Sequence, residues 1–346
     1  MTLDEALEEL PKVELHCHIE GTMRPSTVLE LAAAHGIALP TSDLDELYRY
    51  HSLDEFLSVF WLVQSCLRTR DDWARLAYES VVDGARHGRI YAESFFTPAR
   101  HLADGQQLGD IVAGLADGIA AAEAETGSRC YLVADMDRAF GPQAGLELVE
   151  GVIELRRVGA RGADRILGVG MDSTEIGVDP RSFAPAYERA AAAGLRLTAH
   201  QGEDTGPSEI QACVDVLGAE RIDHGLSLME DPDLVRRFSA ERIPLTVCPT
   251  SNMVIANRVA SLAEHPFASM RAAGLLATLN TDDPALTHLD LGQEYRAVAS
   301  TYGWGFDDMV AVAHDGIDAC WIDDGTKREL HRMTDDRAHS LRQALQ

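Results

Sequence analysis

Lysine is nearly absent: only Lys12 and Lys327 occur in 346 residues, and every other basic side chain is an arginine. Thirty bases face fifty-six acids, a formal charge of −26. No Lys/Arg cluster is available to grip a phosphate backbone or an anionic lipid surface, and the net field repels both, which argues against nucleic acid and membrane as partners. Cysteine is sparse too. The six at 17, 66, 130, 213, 248 and 320 form no CxxC pair and no disulfide framework, as suits a reducing compartment. No apolar run approaches the ~18 residues of a membrane span. Met1 to Leu10 is acidic, without the basic start and apolar core of a secretory leader, so a cytoplasmic protein is expected. What remains is ordinary globular composition, 46% hydrophobic and 25% charged, with mean hydropathy −0.12.

Eight short apolar, β-rich runs recur along the chain, at 13–19, 89–96, 129–135, 165–171, 195–200, 221–224, 243–248 and 275–280. The stretches between them have helical periodicity. Ser208 reads as an N-cap for a helix whose stripe is Ile210, Cys213, Val214 and Leu217, and Asp231-Pro232 as a cap with proline in the first turn. Alternating strand and helix implies a parallel sheet, and eight units imply an α/β fold, a closed (β/α)8 TIM barrel. With no linker-like stretch, residues 1–346 read as a single domain. The interval from Gly21 to Gly88 is too long for one crossover. It holds an apolar-rich segment, Leu53 to Leu67, with Phe56, Leu57, Phe60 and Trp61. As an enlarged helical insertion after the first strand it would sit over the C-terminal mouth as a lid; the alternative is a helix packed on the barrel's outer wall.

Polar residues interrupt the ends of these runs. His16 and His18, at i and i+2 on the first strand, project to one side and can offer two nitrogens to one metal. The fifth strand ends in His200, the sixth in His224, and the eighth in Asn280-Thr281-Asp282-Asp283. These ends converge at the C-terminal rim of a barrel. A lone strand-end histidine is usually structural, Asp283-Pro284 could open a capped turn, and Glu203-Asp204 could be two solvated acids. Together, however, so many buried polar groups are costly without a metal. Three nitrogens and one carboxylate suit zinc with an open position for water, with iron or manganese as alternatives.

Five blocks carry a resemblance to a known family: Leu10-Pro11-Lys12-Val13-Glu14-Leu15-His16-Cys17-His18-Ile19-Glu20-Gly21-Thr22, Thr198-Ala199-His200-Gln201-Gly202-Glu203, Arg221-Ile222-Asp223-His224-Gly225, Val247-Cys248-Pro249-Thr250-Ser251-Asn252, and Leu279-Asn280-Thr281-Asp282-Asp283-Pro284. In this order they resemble the adenosine/adenine deaminases of the metal-dependent amidohydrolase superfamily. The resemblance implies one zinc ion per chain on His16, His18, His200 and Asp282, lowering the pKa of a bound water. It further implies that His224 orients that water and takes its proton, that Glu203 donates to N1 of a 6-aminopurine, and that Asp283 bonds N7.

The choice of purine turns on two features. Glu20 stands where nucleoside-specific members often carry Asp, and Met171-Asp172-Ser173-Thr174-Glu175-Ile176-Gly177 looks like the Asp-Ser-Ser-Glu-Val-Gly stretch of adenine deaminases. Glu20 and Glu175 are therefore expected to contact substrate, with the Glu175 carboxylate accepting from the N9–H that only a free base has. Adenine is favoured. Adenosine, or an N9-substituted adenine such as aminodeoxyfutalosine, is the alternative; the segment from Leu53 to Arg70 and Gln201, where alanine is usual, depart from the adenine pattern. A non-catalytic purine-binding protein would lack a ligand or proton-transfer residue, and none is missing. Oligomeric state is left open.

Overall fold

The computed structural model describes residues 1–50, 53–255 and 258–345. Eight strands follow one another in space in sequence order: β1 (Lys12–Glu14), β2 (Arg89–Phe96), β3 (Arg129–Asp137), β4 (Ile166–Asp172), β5 (Arg196–Gln201), β6 (Arg221–His224), β7 (Leu245–Val247) and β8 (Ala277–Leu279). Each neighbouring pair is parallel. Helices between them cover the outer face, so strand residues such as Leu132, Val133, Val169 and Met171 are buried, as a (β/α)8 barrel requires.

β1 and β8 are both short, and the seam between them is closed by residues beyond their ends. Leu15 N–H donates to Asn280 Oδ1 at 2.8 Å, Asp282 N–H to the His16 carbonyl at 3.1 Å, and His18 N–H to the Asp282 carbonyl at 2.9 Å. On the other side Phe95 N–H donates to the Cys17 carbonyl and Ile19 N–H to that of Phe95, each at 2.9 Å. The expected first strand over 13–19 is thus corrected: regular strand stops at Glu14, and His16 and His18 lie in an extended segment pinned between β2 and the chain after β8. Closing the barrel and aiming these two histidines are done by the same hydrogen bonds.

The helix Pro232–Glu241 begins as expected, with Asp231 accepting from the amides of Asp233 and Leu234 at 2.9 and 3.1 Å. The helix expected to be capped by Ser208 instead starts at Pro207, with Gly206 as cap; proline's fixed φ suits the first turn, which leaves Ser208 inside it. The insertion after β1 holds the helices Pro25–His35, Leu44–Leu47, Leu53–Ser65 and Arg70–Arg86. Phe56, Leu57, Phe60, Trp61 and Gln64 of the third line the same cavity as the strand-end histidines, which places that helix at the mouth rather than on the outer wall. The Arg100 guanidinium, after β2, lies 4.0 Å from the Trp61 ring centroid and ties the helix to the rim.

Candidate active site

The strand ends bring the histidines to one point. His18 Nε2 lies 3.0 Å from His200 Nε2, and Asp282 Oδ1 lies 3.2 Å from His16 Nε2 and 3.3 Å from His18 Nε2. Four donors around a tetrahedral ion at ~2.05 Å stand about 3.3 Å apart, so this spacing is that of a zinc-sized ligand set. His16 Nε2 is buried with no hydrogen-bond partner, a deficit that a cation answers. His224 joins the cluster, its ring 4.5 Å from that of His16 and 5.3 Å from that of His200, and it also offers a possible ligand atom.

Residues outside the cluster aim it. His16 Nδ1 faces the Thr246 carbonyl and hydroxyl, both at 3.1 Å, leaving its Nε2 lone pair inward. Ser251 Oγ donates to Asp282 Oδ2 at 2.5 Å, which leaves Oδ1 for the histidines. His200 Nδ1 looks toward Asp223 Oδ2 at 3.6 Å and Asp135 Oδ2 at 3.7 Å, and Asp223 is itself held by the hydroxyls of Thr198 and Thr246 at 2.7 and 2.6 Å. Burial, and then neighbouring imidazoles, hold His200 well below the usual range and bring His224 down to about 3, so both rings are neutral. His224 and Asp282 both adopt left-handed backbone, φ +66° and +67°, strain of the kind that accumulates at functional sites.

Glu203 and Asp283 border the same cavity. Burial, followed by the charges of Asp282 and Glu175, pushes the Glu203 carboxyl well above the usual carboxylate range. Burial and adjacent Asp282 do the same to Asp283, whose Oδ1 is buried without a partner. Both are thereby shifted toward the protonated, donating form. Gly21 makes room for Asp283: a Cβ there would stand 1.9 Å from Asp283 Oδ1. The Asp282-Asp283-Pro284 stretch caps no helix; Asp282 turns to the histidines instead.

Of the other two expected substrate contacts, Glu20 and Glu175, only Glu175 reaches the cavity. Glu20 is fully buried behind the cavity wall, where its Oε1 accepts the Thr97 amide at 2.8 Å; Thr97, not Glu20, reaches the cavity and bonds Asp172 at 2.5 Å. Glu175 borders the cavity, but its carboxylate is turned to the chain that follows β5. Oε2 accepts from Gln201 Nε2, Gly202 N and Thr205 N, each at 3.0 Å, and from Thr205 Oγ1 at 2.5 Å; Oε1 accepts from Glu203 N at 2.9 Å. Burial raises this carboxyl, yet Arg138 and these donors outweigh it and hold it below its ordinary value. These bonds make Glu175 a brace for the chain that carries Glu203. Gln201 connects the two supports, its Oε1 accepting from Arg138 Nη2 at 3.0 Å.

Sequence reasoning had assigned no part to Arg138, Asn252 or His265. Asn252 ends the Val247–Asn252 block that carries the resemblance, which is its signal in the sequence; Arg138 and His265 carry none. Asn252 Nδ2 stands 2.6 Å from Glu203 Oε1 and 3.1 Å from His224 Nδ1.

Comparison with known proteins accords with this geometry. Residues 11–337 match the family profile described as adenosine deaminase. The chain is 38% identical to the adenine deaminase of Streptomyces coelicolor over 97% of both chains. Among solved structures it resembles adenine deaminase from Arthrobacter aurescens, with a TM-score of 0.89 and 34% identity over 94% of this chain and 98% of that one. It also resembles an amidohydrolase from Burkholderia ambifaria with bound zinc, with a TM-score of 0.90 and 29% identity over 99% and 94%. A barrel whose strand ends gather this His/Asp cluster, with a family match over nearly its whole length, belongs to the adenosine deaminase family.

Proposed function

We propose that the protein hydrolyses free adenine to hypoxanthine and ammonia with one zinc ion per chain. The observation that carries the reading is the convergence of His16, His18, His200 and Asp282 on one point of a cavity that Glu203 and Asp283 border. His16, His18, His200 and Asp282 would hold the ion, which when bound lowers the pKa of water enough to give a nucleophile near neutrality. Asp283 donates to N7 and fixes the ring plane. Glu203 gives its proton to N1, so that addition at C6 does not leave negative charge on the ring. The Glu203 carboxylate then takes the hydrogen remaining on the added oxygen and passes it to the departing amine; the proton the water gave up to solvent on ionising is made good from solvent, which restores Glu203. His224 holds the attacking water.

The likeness to relatives named adenine deaminase favours the free base. Asp137, Asp172 and Asp204 at the cavity add acidic groups unsuited to a phosphorylated N9 substituent. Steady-state ammonia release from adenine, adenosine and adenosine monophosphate tests this. A kcat/KM for adenosine well above that for adenine rejects the free-base reading, and no release from any of them by zinc-loaded protein rejects the deaminase reading.

A further inference from the structure

Asn252 stands between the two side chains that the proposed reaction asks to manage hydrogens, and its own orientation is dictated from outside the site. The chain of bonds starts at a backbone amide. Phe267 N–H donates to His265 Nδ1 at 3.1 Å, and since an amide N–H can only donate, Nδ1 is the acceptor and the ring hydrogen is on Nε2. His265 Nε2 faces Asn252 Oδ1 at 3.2 Å, which therefore accepts. The amide cannot flip without opposing two N–H groups. Its Nδ2 then has one hydrogen for Glu203 Oε1, at 2.6 Å, and one for His224 Nδ1, at 3.1 Å. His265 and Asn252 are both buried, so water does not compete for these bonds.

We propose that Asn252, pinned by His265, is a positioning residue that leaves Oε2 of Glu203 as the oxygen free to carry a proton and puts the ring hydrogen of His224 on Nε2. Each conclusion follows from an acceptor already occupied. With Oε1 receiving the Asn252 hydrogen, Oε2 is the oxygen of Glu203 left to carry a proton to N1. With Nδ1 of His224 receiving the other, that ring presents Nε2–H to the site. His224 then holds the oxygen of the attacking water as a donor and does not take its proton, which narrows the role implied by the family resemblance. What these hydrogens accomplish rests on the deaminase reading; where they lie does not.

The test uses zinc-loaded full-length protein carrying 15N-labelled histidine. Two-bond 15N–1H correlation spectra report the tautomer of each ring, with His224 assigned by comparison with His224→Gln. The expected spectrum has His224 protonated at Nε2 in the native protein and at Nδ1 in Asn252→Asp, where a carboxylate replaces the donor. His265→Leu frees the amide and is expected to lower kcat for adenine about 10- to 100-fold, as loss of outer supports commonly does, with KM within about threefold. His265→Gln, which keeps a donor near the Nε2 position, restores most of it. Native protein with His224 protonated at Nδ1 overturns the proposal, as does His265→Leu with native kcat and native tautomer. If His265→Leu does not fold, the native and Asn252→Asp spectra decide alone. Native protein with the Nε2–H form that releases no ammonia from adenine supports the relay and overturns the reaction.

Discussion

Replacing Glu175 with glutamine keeps the shape of the side chain but removes its charge and turns one acceptor into a donor. The amide nitrogen has two places to go. At Oε2 it would face four donors, from Gln201, Gly202 and the amide and hydroxyl of Thr205; at Oε1 it would face one, Glu203 N–H. The second is the cheaper arrangement, and it loses the bond that holds the Glu203 backbone. One hydrogen bond to a charged, buried acceptor contributes about 2 kcal/mol, so urea denaturation is expected to show a loss of that size. Because burial is outweighed and the folded-state pKa lies below the ordinary 4.5, that contribution is complete above this value and fades as pH falls through the folded one. Displacing Glu203 by a fraction of an ångström is expected to lower kcat about 10- to 100-fold. KM for adenine is expected to change little, because the five bonds of this carboxylate go to the chain after β5. The charge of Glu175 also helps keep Glu203 protonated, so the alkaline limb of the kcat profile moves to lower pH in the variant. Initial rates of ammonia release over a pH series measure all three. A KM raised tenfold or more with kcat intact would refute the brace and restore Glu175 as the N9–H acceptor.

Gly21→Ala places a Cβ 1.9 Å from Asp283 Oδ1 and 2.8 Å from its Cα; kcat/KM for adenine should fall about 100-fold, and a native value would show that Asp283 does not orient the substrate. Removing metal with a chelator is expected to abolish ammonia release and lower the thermal midpoint, with zinc restoring turnover and, at a thousandfold excess over Kd, about 4 kcal/mol of stability; a midpoint indifferent to zinc would dismiss the His/Asp cluster as its site. Zinc affinity, followed by competition with a chromophoric chelator, should weaken as pH falls, since the imidazoles must be neutral to bind. Asp231→Ala removes a cap that serves two amides and should cost about 1 kcal/mol in urea denaturation while leaving turnover unchanged, because it lies on the barrel's helical exterior; an equal loss of activity would mean the helix is coupled to the site.

Much of this molecule is legible along the chain. Eight apolar runs separated by helical stretches specify a barrel because a parallel strand buried on both faces must be apolar throughout, and that is a local property. His200 and His224 at run ends point to the rim for the same reason: topology places every strand end there. His16 and His18 were located by alternation, yet their aim comes from bonds to Phe95 and Asp282, and no local pattern encodes a seam closed by residues so far apart in the sequence. The carboxylates were least legible. Residue type says that Glu20, Glu175, Glu203 and Asp283 each seek donors or hold a proton, but not which. Glu20 finds Thr97, Glu175 finds the chain from Gln201 to Thr205, Glu203 finds Asn252, and Asp283 Oδ1 is left buried without a partner. The amino-acid sequence by itself therefore determined the barrel and the ligand-type side chains on its rim. Only the tertiary structure decided which polar atoms are already satisfied and which remain free for a ligand, because satisfaction depends on partners brought together by folding.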